Sequence, residues 1–270
     1  MDDEALVAKE QKLKDLLEGY GSLALAYSGG VDSTYLADVA HEVLGPRVGL
    51  VLGDTPSNPR AELAEAKALA EARGWNLCVL ETHEFEDEDF LRNDAQRCYY
   101  CKTDLFHRMT QYAAENDLAY AAHGENADDA ADTTRVGHRA AQEQGIVAPL
   151  QGAGLRKAEI RELSRRRNLP TSDKPSMACL SSRVPTGTRL TVADLARIER
   201  AEAALKGLGF RQYRVRHHGD LCRIELEPAD LERAAAPETR AAIVRALSAL
   251  GYRHVTLDLA GYGAHADPLD

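Results

Sequence analysis

Six consecutive residues, Ser28-Gly29-Gly30-Val31-Asp32-Ser33, combine the features that a phosphate-binding loop requires. Two glycines let the backbone turn tightly and approach an anion without a Cβ in the way. A helix beginning behind them would add unpaired N–H groups and the positive end of its dipole. Ser28 and Ser33 supply hydroxyl donors, whereas Asp32 suits Mg²⁺ or the orientation of the loop. The spacing of these six residues differs from that of the G-x-x-x-x-G-K-[ST] phosphate loop. We therefore predict a pyrophosphate-binding loop of a different type; the alternative is an ordinary glycine-rich turn.

Three of the five cysteines stand where soft metal ligands would be useful. Cys98 and Cys101 form a C-x-x-C pair at the predicted start of a helix, and Cys179 lies in a segment rich in proline and serine. A zinc site normally has four nitrogen or sulfur ligands, and no fourth presents itself in a suitable motif. Three thiolates suit a [4Fe–4S] cluster with one iron open to an external ligand; the alternative is three unrelated cysteines. Cys78 and Cys222 follow apolar strand patterns and are expected in the core.

Several arginines are placed to bind an anion. Arg214 and Arg216 lie two residues apart in a strand pattern, so both should point to one face, and two adjacent guanidinium groups suit a phosphate monoester. Arg183 follows Cys179 by four residues and is predicted to hold a substrate carboxylate or an ATP phosphate. The alternative for each is a solvated surface. Residues 151–217 carry 15 Lys and Arg against 6 Asp and Glu, a basic island that points to a compact anionic ligand.

Strands alternate with helices through the first part of the chain. Apolar runs predict strands at 22–27, 47–52, 76–80, 119–122 and 145–148, and helical spacing predicts helices at 34–44, 60–73 and 99–115. This alternation is typical of an α/β fold with a doubly wound parallel sheet. The glycine loop would then follow the first strand.

The later part of the chain has a different pattern. Residues 171–190 show no periodicity and are predicted to form a linker that carries Cys179. Beyond it, Thr191 is a helix N-cap candidate, and the pattern predicts helices at 193–205, 228–236 and 237–250 with strands at 213–217, 221–227 and 254–259. We therefore predict three parts, a domain over 1–170, a linker over 171–190, and a smaller α+β domain over 191–270 for substrate binding and oligomerisation.

Composition narrows the class of protein. The 270 residues carry a net charge of −10, which argues against binding to long nucleic acid because that requires excess Lys and Arg. No stretch approaches the roughly 18 to 20 apolar residues of a membrane span. The acidic start, Met-Asp-Asp-Glu, does not look like a secretory signal, so we expect a cytoplasmic protein without nucleic-acid or membrane partners.

The hexapeptide after the first strand resembles the PP-loop ATP pyrophosphatases, which have an adenine nucleotide alpha hydrolase-like fold. The resemblance implies that ATP is cleaved to AMP and pyrophosphate and that the AMP activates a carbonyl or carboxylate oxygen. It also implies that Thr55, after the second strand, helps to seat the adenosine and that Gly124, after the fourth, lies near the same crevice. Asp128 or Asp129 would join Asp32 in carrying Mg²⁺; alone, either acid is better explained as a helix-start residue.

A longer set of residues resembles the signature of the LarE family, the ATP-dependent sulfurtransferases of nickel-pincer nucleotide cofactor biosynthesis. The match is carried by the glycine loop, by Arg-Cys-Tyr-Tyr-Cys-Lys and by segments 174–188, 198–202, 209–210, 214–219 and 223–225. It implies that carboxylates of pyridinium-3,5-biscarboxylic acid mononucleotide are adenylated and converted to thiocarboxylates. It further implies that Arg214 and Arg216 hold the nucleotide phosphate, that sulfide or another sulfur donor supplies sulfur, and that the protein is a homo-oligomer such as a hexamer.

The cysteines select a branch within that family. In one branch the cysteine matching Cys179 gives up its own sulfur and becomes dehydroalanine; in the other it joins the C-x-x-C cysteines in holding a [4Fe–4S] cluster. Because all three cysteines occur here, the resemblance implies the cluster-dependent branch. The alternatives are the sacrificial reaction, a tRNA-thiolating PP-loop enzyme, an ammonia-using PP-loop synthetase and a nucleotide-sensing module without activity.

Overall fold

The computed structural model describes residues 3–131, 136–175 and 178–263, so Ser176 and Met177 of the LarE-like signature lie outside the described residues. The chain forms two compact units. Unit 1 comprises Met1–Glu84 and Cys98–Met177, and unit 2 comprises Phe85–Arg97 and Ala178–Asp270. Unit 2 thus includes a segment from within the predicted first domain, because hydrogen bonds described below tie residues 91–97 to residues 181–190.

Unit 1 is built on a parallel sheet in the order β3-β2-β1-β4. Its strands are β1 (Leu23–Ala26), β2 (Val48–Asp54), β3 (Leu77–Glu81) and β4 (Tyr120–Ala122). The predicted strand over 145–148 is wrong: Val147 forms only one bridge, to Ala122. Gly145 has a φ of 66° and Pro149 begins a short helix, so too few residues between them can extend the ladder.

Helices cover both faces of this sheet. In chain-wide numbering they are α1 (Asp3–Tyr20), α2 (Val31–Leu44), α3 (Arg60–Ala72), α5 (Arg97–Glu115), α6 (Ala127–Ala131), α7 (Gly137–Glu143), α8 (Pro149–Gly152) and α9 (Lys157–Arg166). Leu23 and Leu25 pack on α1, α2, α3 and α9, whereas Ala24 between them packs with α5 and α7. This alternation confirms an α/β fold whose parallel strands are buried on both faces.

Unit 2 contains a three-stranded sheet in the order β5-β6-β7. Its elements are β5 (Tyr213–His218), β6 (Leu221–Leu226), β7 (His254–Leu257), α4 (Glu88–Leu91), α10 (Val192–Gly207), α11 (Leu231–Ala235) and α12 (Pro237–Ala249). A separate core of Val215, Ile224 and Leu226 packs beneath α10 and α12. The predicted N-cap is present, since Thr191 Oγ1 accepts from the Asp194 amide at 3.0 Å. Among helices within the described residues, none has both the length and the apolarity needed to cross a membrane.

Candidate active site

The predicted phosphate loop connects β1 to α2. Gly29 has a φ of 70°, and a Cβ there would lie 2.7 Å from the Cβ of Ala66 in α3. Both constraints require glycine. The Ser28 and Ser33 hydroxyls lie 3.1 Å apart, and Ser33 Oγ accepts from the Ser28 amide at 3.2 Å. The loop is therefore shaped before any ligand binds, with Gly30 as the N-cap of a 14-residue helix.

Asp32, in the first turn of α2, is paired with a residue that the sequence did not suggest. Its Oδ2 accepts from the ammonium of Lys157, the first residue of α9. Its Oδ1 is buried and has no hydrogen-bond partner among the described residues. Burial raises the pKa of Asp32, and Lys157 opposes that rise. The orphaned carboxylate oxygen is a fitting ligand for Mg²⁺, which prefers oxygen.

Gly124, two residues after β4, lies against the start of α2. A Cβ on this residue would lie 3.1 Å from the amide nitrogen of Ser33, so a larger residue would require a small shift of the neighbouring backbone. The strand order reverses between β1 and β4, and ligands bind at such switch points in open α/β sheets. Asp128 lies nearby in the chain, and its Oδ2 accepts from the Lys157 amide at 2.8 Å. Lys157 therefore joins the two acids that were predicted to carry Mg²⁺.

Thr55, predicted to help seat adenosine, uses its hydroxyl within the protein. The hydroxyl donates to Glu84 and also accepts from the Ser57 amide at 3.1 Å. Thr55 and Glu84 are both buried. The side chain of Thr55 therefore fixes the turn after β2, and the carbonyl oxygen of Thr55 accepts from the Asn58 amide at 3.1 Å.

Cys98 and Cys101 are the second and fifth residues of α5, three residues apart and therefore on neighbouring positions of one helix face. Each of the five cysteines is a thiol, and these two are half-buried. The helix start packs on α7: the Tyr99 hydroxyl donates to Glu143 at 2.6 Å. The donor chemistry of a C-x-x-C pair fits a soft metal ion or an iron–sulfur cluster.

Cys179 belongs to unit 2 and immediately precedes a 3₁₀ helix, Leu180–Arg183. The side-chain nitrogen of Asn93 donates to the carbonyls of Val184, Pro185 and Thr188 at 3.0–3.2 Å. Arg97 Nη1 donates to the Ser181 carbonyl at 3.2 Å. The segment after Cys179 is therefore clamped by residues 93 and 97 and is not a loose linker.

The predicted anion-binding arginines form buried ion pairs. Arg183 Nε donates to Glu202 at 2.8 Å, and the two side chains are 2% and 7% exposed. Arg216 Nε donates to Glu225 at 2.9 Å, and its Nη1 donates to the Ser182 carbonyl at 2.7 Å. These contacts link the Cys179 segment to α10 and β6.

Arg214 lies on the same face of β5 and has a different neighbour. Its guanidinium carbon sits 4.7 Å from the ring centroid of Tyr262. The arginines on this face extend beyond the predicted pair, because Arg223 of β6 also donates to Glu225, at 3.1 Å. Arg223 also pairs with Asp258, at 3.3 Å, so two carboxylates, those of Glu225 and Asp258, contact the arginines of these strands.

The predicted cluster ligands divide between the units, with Cys98 and Cys101 in unit 1 and Cys179 in unit 2. Within residues 3–131, 136–175 and 178–263, no three His, Cys, Asp or Glu side chains are grouped as a metal site. The shared cluster therefore stays a prediction. Cys222 is buried, as predicted, and burial raises its pKa to about 11. Cys78 is only half-buried.

No protein-family profile matches the chain, but full-length relatives exist. An uncharacterised protein of Synechocystis is 38% identical over 256 residues, covering 94% of this chain and 95% of the relative. An uncharacterised protein of Methanocaldococcus jannaschii is 26% identical over 260 residues, covering 96% and 98%. The pyridinium-3,5-bisthiocarboxylic acid mononucleotide synthase of Lactiplantibacillus plantarum is 34% identical over 258 residues, covering 95% and 92%. This chain belongs to the LarE family.

A match of that length to a LarE-family synthase spans both units, and the predicted family is confirmed. The predicted site residues fall in both units, the glycine loop in unit 1 and the Cys179 segment in unit 2. Sequence inspection alone missed Lys157, Asn93 and Glu225, each of which contacts a predicted site residue or the segment that carries one. Lys157 lies in the run Leu-Arg-Lys-Ala-Glu at the start of a helix. Nothing in this run indicates a partner 125 residues away.

Proposed function

We propose that this chain is an ATP-dependent sulfurtransferase that converts carboxylates of pyridinium-3,5-biscarboxylic acid mononucleotide to thiocarboxylates through an acyl-adenylate. The name of the Lactiplantibacillus plantarum relative supports the product class. The observation that carries the ATP-dependent half is the pairing of Lys157 with Asp32 beneath the glycine loop, at the switch point of the sheet. Ammonium, carboxylate and loop amides together suit a magnesium-bound triphosphate.

Unit 1 would carry out the adenylation. The amides of the glycine loop and the first turn of α2 would hold the phosphates, with the Lys157 ammonium as a further donor. Asp32, with Asp128, would hold Mg²⁺, which when bound neutralises phosphate charge. A substrate carboxylate oxygen then attacks the α-phosphorus, the bond from that phosphorus to the bridging oxygen breaks, and pyrophosphate leaves. The loop amides stabilise the departing charge, and the carboxylate has become an acyl-adenylate, a far better electrophile.

Unit 2 would supply the sulfur step. A sulfur nucleophile held by the Cys179 segment attacks the acyl carbon, and the carbon–oxygen bond to AMP breaks. Thiolate or sulfide is required because the protonated thiol is a poor nucleophile. Arg183 lies within electrostatic range of Cys179 and would place a positive charge near the reacting sulfur. Arg214 and Arg216 would hold the substrate phosphate.

The finer proposal is that Cys98, Cys101 and Cys179 hold one [4Fe–4S] cluster, which when bound supplies an iron without a protein thiolate. Chain connectivity supports it. Arg97 donates to Ser181, two residues after Cys179, and Cys98 is the residue bonded directly to Arg97.

The adenylation half is tested by substrate-dependent pyrophosphate release. Asp32→Ala should abolish release without unfolding the protein, and Lys157→Met should lower it by about 10²-fold, as loss of one charged donor to a transition state typically does. Lys9→Met is the matched control. Lys9 pairs at 2.7 Å with Glu159, which lies in the same helix α9 as Lys157, and this pair includes no residue of the glycine loop. Normal release by Lys157→Met or by Asp32→Ala would remove this site from the mechanism.

A further inference from the structure

Arg161 is a cationic residue of unit 1 that the proposed mechanism does not use. It lies in α9 one helical turn after Lys157, so the two side chains occupy neighbouring positions on one face of the helix. Lys157 pairs with Asp32 of the glycine loop, and the charge of Arg161 also acts on Asp32, in the direction that favours the carboxylate. This face of α9 therefore brings two positive charges near Asp32.

The guanidinium of Arg161 binds the backbone of a short segment, residues 171–175. Its Nη1 donates to the Ser172 carbonyl at 2.6 Å, and its Nη2 donates to the Lys174 carbonyl at 2.8 Å. Two donors on one planar group hold both carbonyls in a fixed geometry, which a flexible ammonium does not. Because both acceptors are uncharged, these hydrogen bonds do not neutralise the guanidinium. Arg161 thus connects segment 171–175 to the helix that carries Lys157.

The same segment is also tied to α3, the helix that packs against the glycine loop. The Lys174 ammonium pairs with Glu62 and, at 3.2 Å, with Glu65 of α3. One residue further along α3, Ala66 is the neighbour that leaves no room for a side chain at Gly29. The two helices that hold the segment, α3 and α9, are therefore the helices that contact the loop at its glycine and at its acid.

Phosphate at the glycine loop would change the charge that acts on Arg161. A magnesium-bound triphosphate keeps a net negative charge, and the proposed function places it at the loop, beside Asp32. Arg161 is half-buried, and attraction between opposite charges is screened less where solvent is partly excluded. The guanidinium would therefore be held more firmly when phosphate is bound, and the carbonyls of Ser172 and Lys174 would be held with it.

We propose that Arg161 is a positioning residue through which phosphate bound at the glycine loop orders segment 171–175. The chain continues from this segment to Cys179, five residues after Lys174. The presence of phosphate at the loop rests on the proposed function, whereas the link from Arg161 to the segment rests on its two hydrogen bonds. Arg161 touches no reacting atom in this proposal. It makes the order of the segment that precedes the reactive cysteine depend on the nucleotide.

The direct test is hydrogen exchange of the full chain, followed by mass spectrometry, with and without saturating magnesium pyrophosphate. Within the segment, the Ser172 amide donates to the Leu169 carbonyl at 3.2 Å and the Lys174 amide donates to the Thr171 carbonyl at 3.0 Å. Exchange of these two amides therefore reports how often the segment opens. In wild type, pyrophosphate should slow this exchange about tenfold, the change expected when one charge-assisted hydrogen bond is strengthened.

Three variants separate the coupling from a general loosening of the segment. Arg161→Met should abolish the slowing at saturating pyrophosphate and, because coupling is reciprocal, should weaken pyrophosphate binding about tenfold. Arg161→Lys keeps the charge without the planar fork, so it should bind pyrophosphate like wild type and show a smaller slowing; it also serves as the test variant if Arg161→Met is unstable. Arg165→Met is the matched control and should keep the full slowing. Arg165 lies one turn further along α9 and binds Asp173 of the same segment at 2.9 Å, but its ion pairs include no residue of the loop.

The outcomes distinguish this proposal from the proposed function. Equal slowing in wild type and Arg161→Met overturns the proposal, as does equal loss of slowing in Arg161→Met and Arg165→Met. If wild type binds pyrophosphate and releases it from ATP while the exchange of the segment does not change, the coupling fails and the function stands. If the segment responds as expected but no thiocarboxylate forms from the mononucleotide, the function fails and the coupling stands. If calorimetry shows no binding of pyrophosphate to wild type, both fail.

Discussion

Replacing Glu202 by glutamine tests whether the segment after Cys179 is held by a desolvated ion pair. Glu202 Oε1 accepts from Arg183 Nε and from the Val215 amide at 3.1 Å. Burial by itself lowers the pKa of Arg183, yet the attraction of Glu202 outweighs it and the pKa is raised. The carboxylate is therefore the main compensation for a buried cation. Glutamine preserves the shape and one acceptor but removes the charge.

Breaking a buried pair on one side typically costs about 3–5 kcal/mol. We expect the free energy of unfolding of Glu202→Gln to fall by about 3 kcal/mol, at the lower end because the amide oxygen can still accept one hydrogen bond. Urea unfolding followed by circular dichroism measures this change, with the m-value as a check on the unfolding model. Sulfur transfer should fall more than pyrophosphate release, because Arg183 lies in the Cys179 segment and the phosphate loop lies in unit 1.

The matched control is Glu88→Gln. Glu88 pairs with Arg189 at 2.6 Å in the same unit, but these side chains are 66% and 55% exposed, so the loss of stability should be much smaller than that of Glu202→Gln. The double variant Arg183→Met with Glu202→Met should be more stable than Glu202→Gln, since it leaves no unpaired charge. If Glu202→Gln and Glu88→Gln lose the same small amount, the Arg183–Glu202 pair is solvated and the reasoning is wrong.

Three further predictions concern the substrate, the pH dependence and the sulfur source. Arg214→Ala should weaken equilibrium binding of the mononucleotide by about 10- to 150-fold and spare ATP binding. Arg216→Ala should do the same and also destabilise the fold. Wild-type affinity in both variants would mean that the anion site lies elsewhere in residues 151–217. His123 has a folded pKa of about 3 against 6.5 when exposed, so its contribution to stability is complete above pH 6.5 and is lost as pH falls toward 3. His123→Asn should flatten that part of a pH series of urea unfolding, and an unchanged profile would contradict the shift. Protein reconstituted anaerobically with iron and sulfide should turn over more than once per chain, and Cys98→Ala should stop this; conversion of Cys179 to dehydroalanine after one turnover, seen by mass spectrometry, would instead assign the sacrificial branch.

The features that the sequence predicted well are those with local determinants. The glycine loop needs a strand, two glycines and a helix within about twenty residues, and all are contiguous. The helix that carries Cys98 and Cys101 was also predicted within two residues of its observed start. Helix α1 is absent from the elements predicted above, although Leu6, Leu13 and Leu17 form its buried stripe.

The features that the sequence could not predict depend on partners far away in the chain. Strand periodicity gives the face of Arg216, but its burial depends on Ser182, 34 residues earlier. Glu202 had the pattern of a helix-surface residue, yet it is buried against Arg183. The Asp32–Lys157 pair spans 125 residues. Local sequence patterns determine which face a side chain points to and whether a segment is a helix or a strand. Partners at such separations in the chain are determined only by tertiary packing.

The clamp formed by Asn93 limits how unit 2 could be exchanged by recombination between related genes. The chain passes between the units after Glu84, after Arg97 and before Ala178, so unit 2 is encoded in two separate stretches of the gene. A gene fragment that begins at codon 178 would encode the β5-β6-β7 sheet without the side chain that binds three carbonyls of its first loop. Recombination between related genes could therefore exchange a working unit 2 only when codons 85–97 are exchanged together with the later stretch. The C-terminal stretch alone would not encode a complete unit 2.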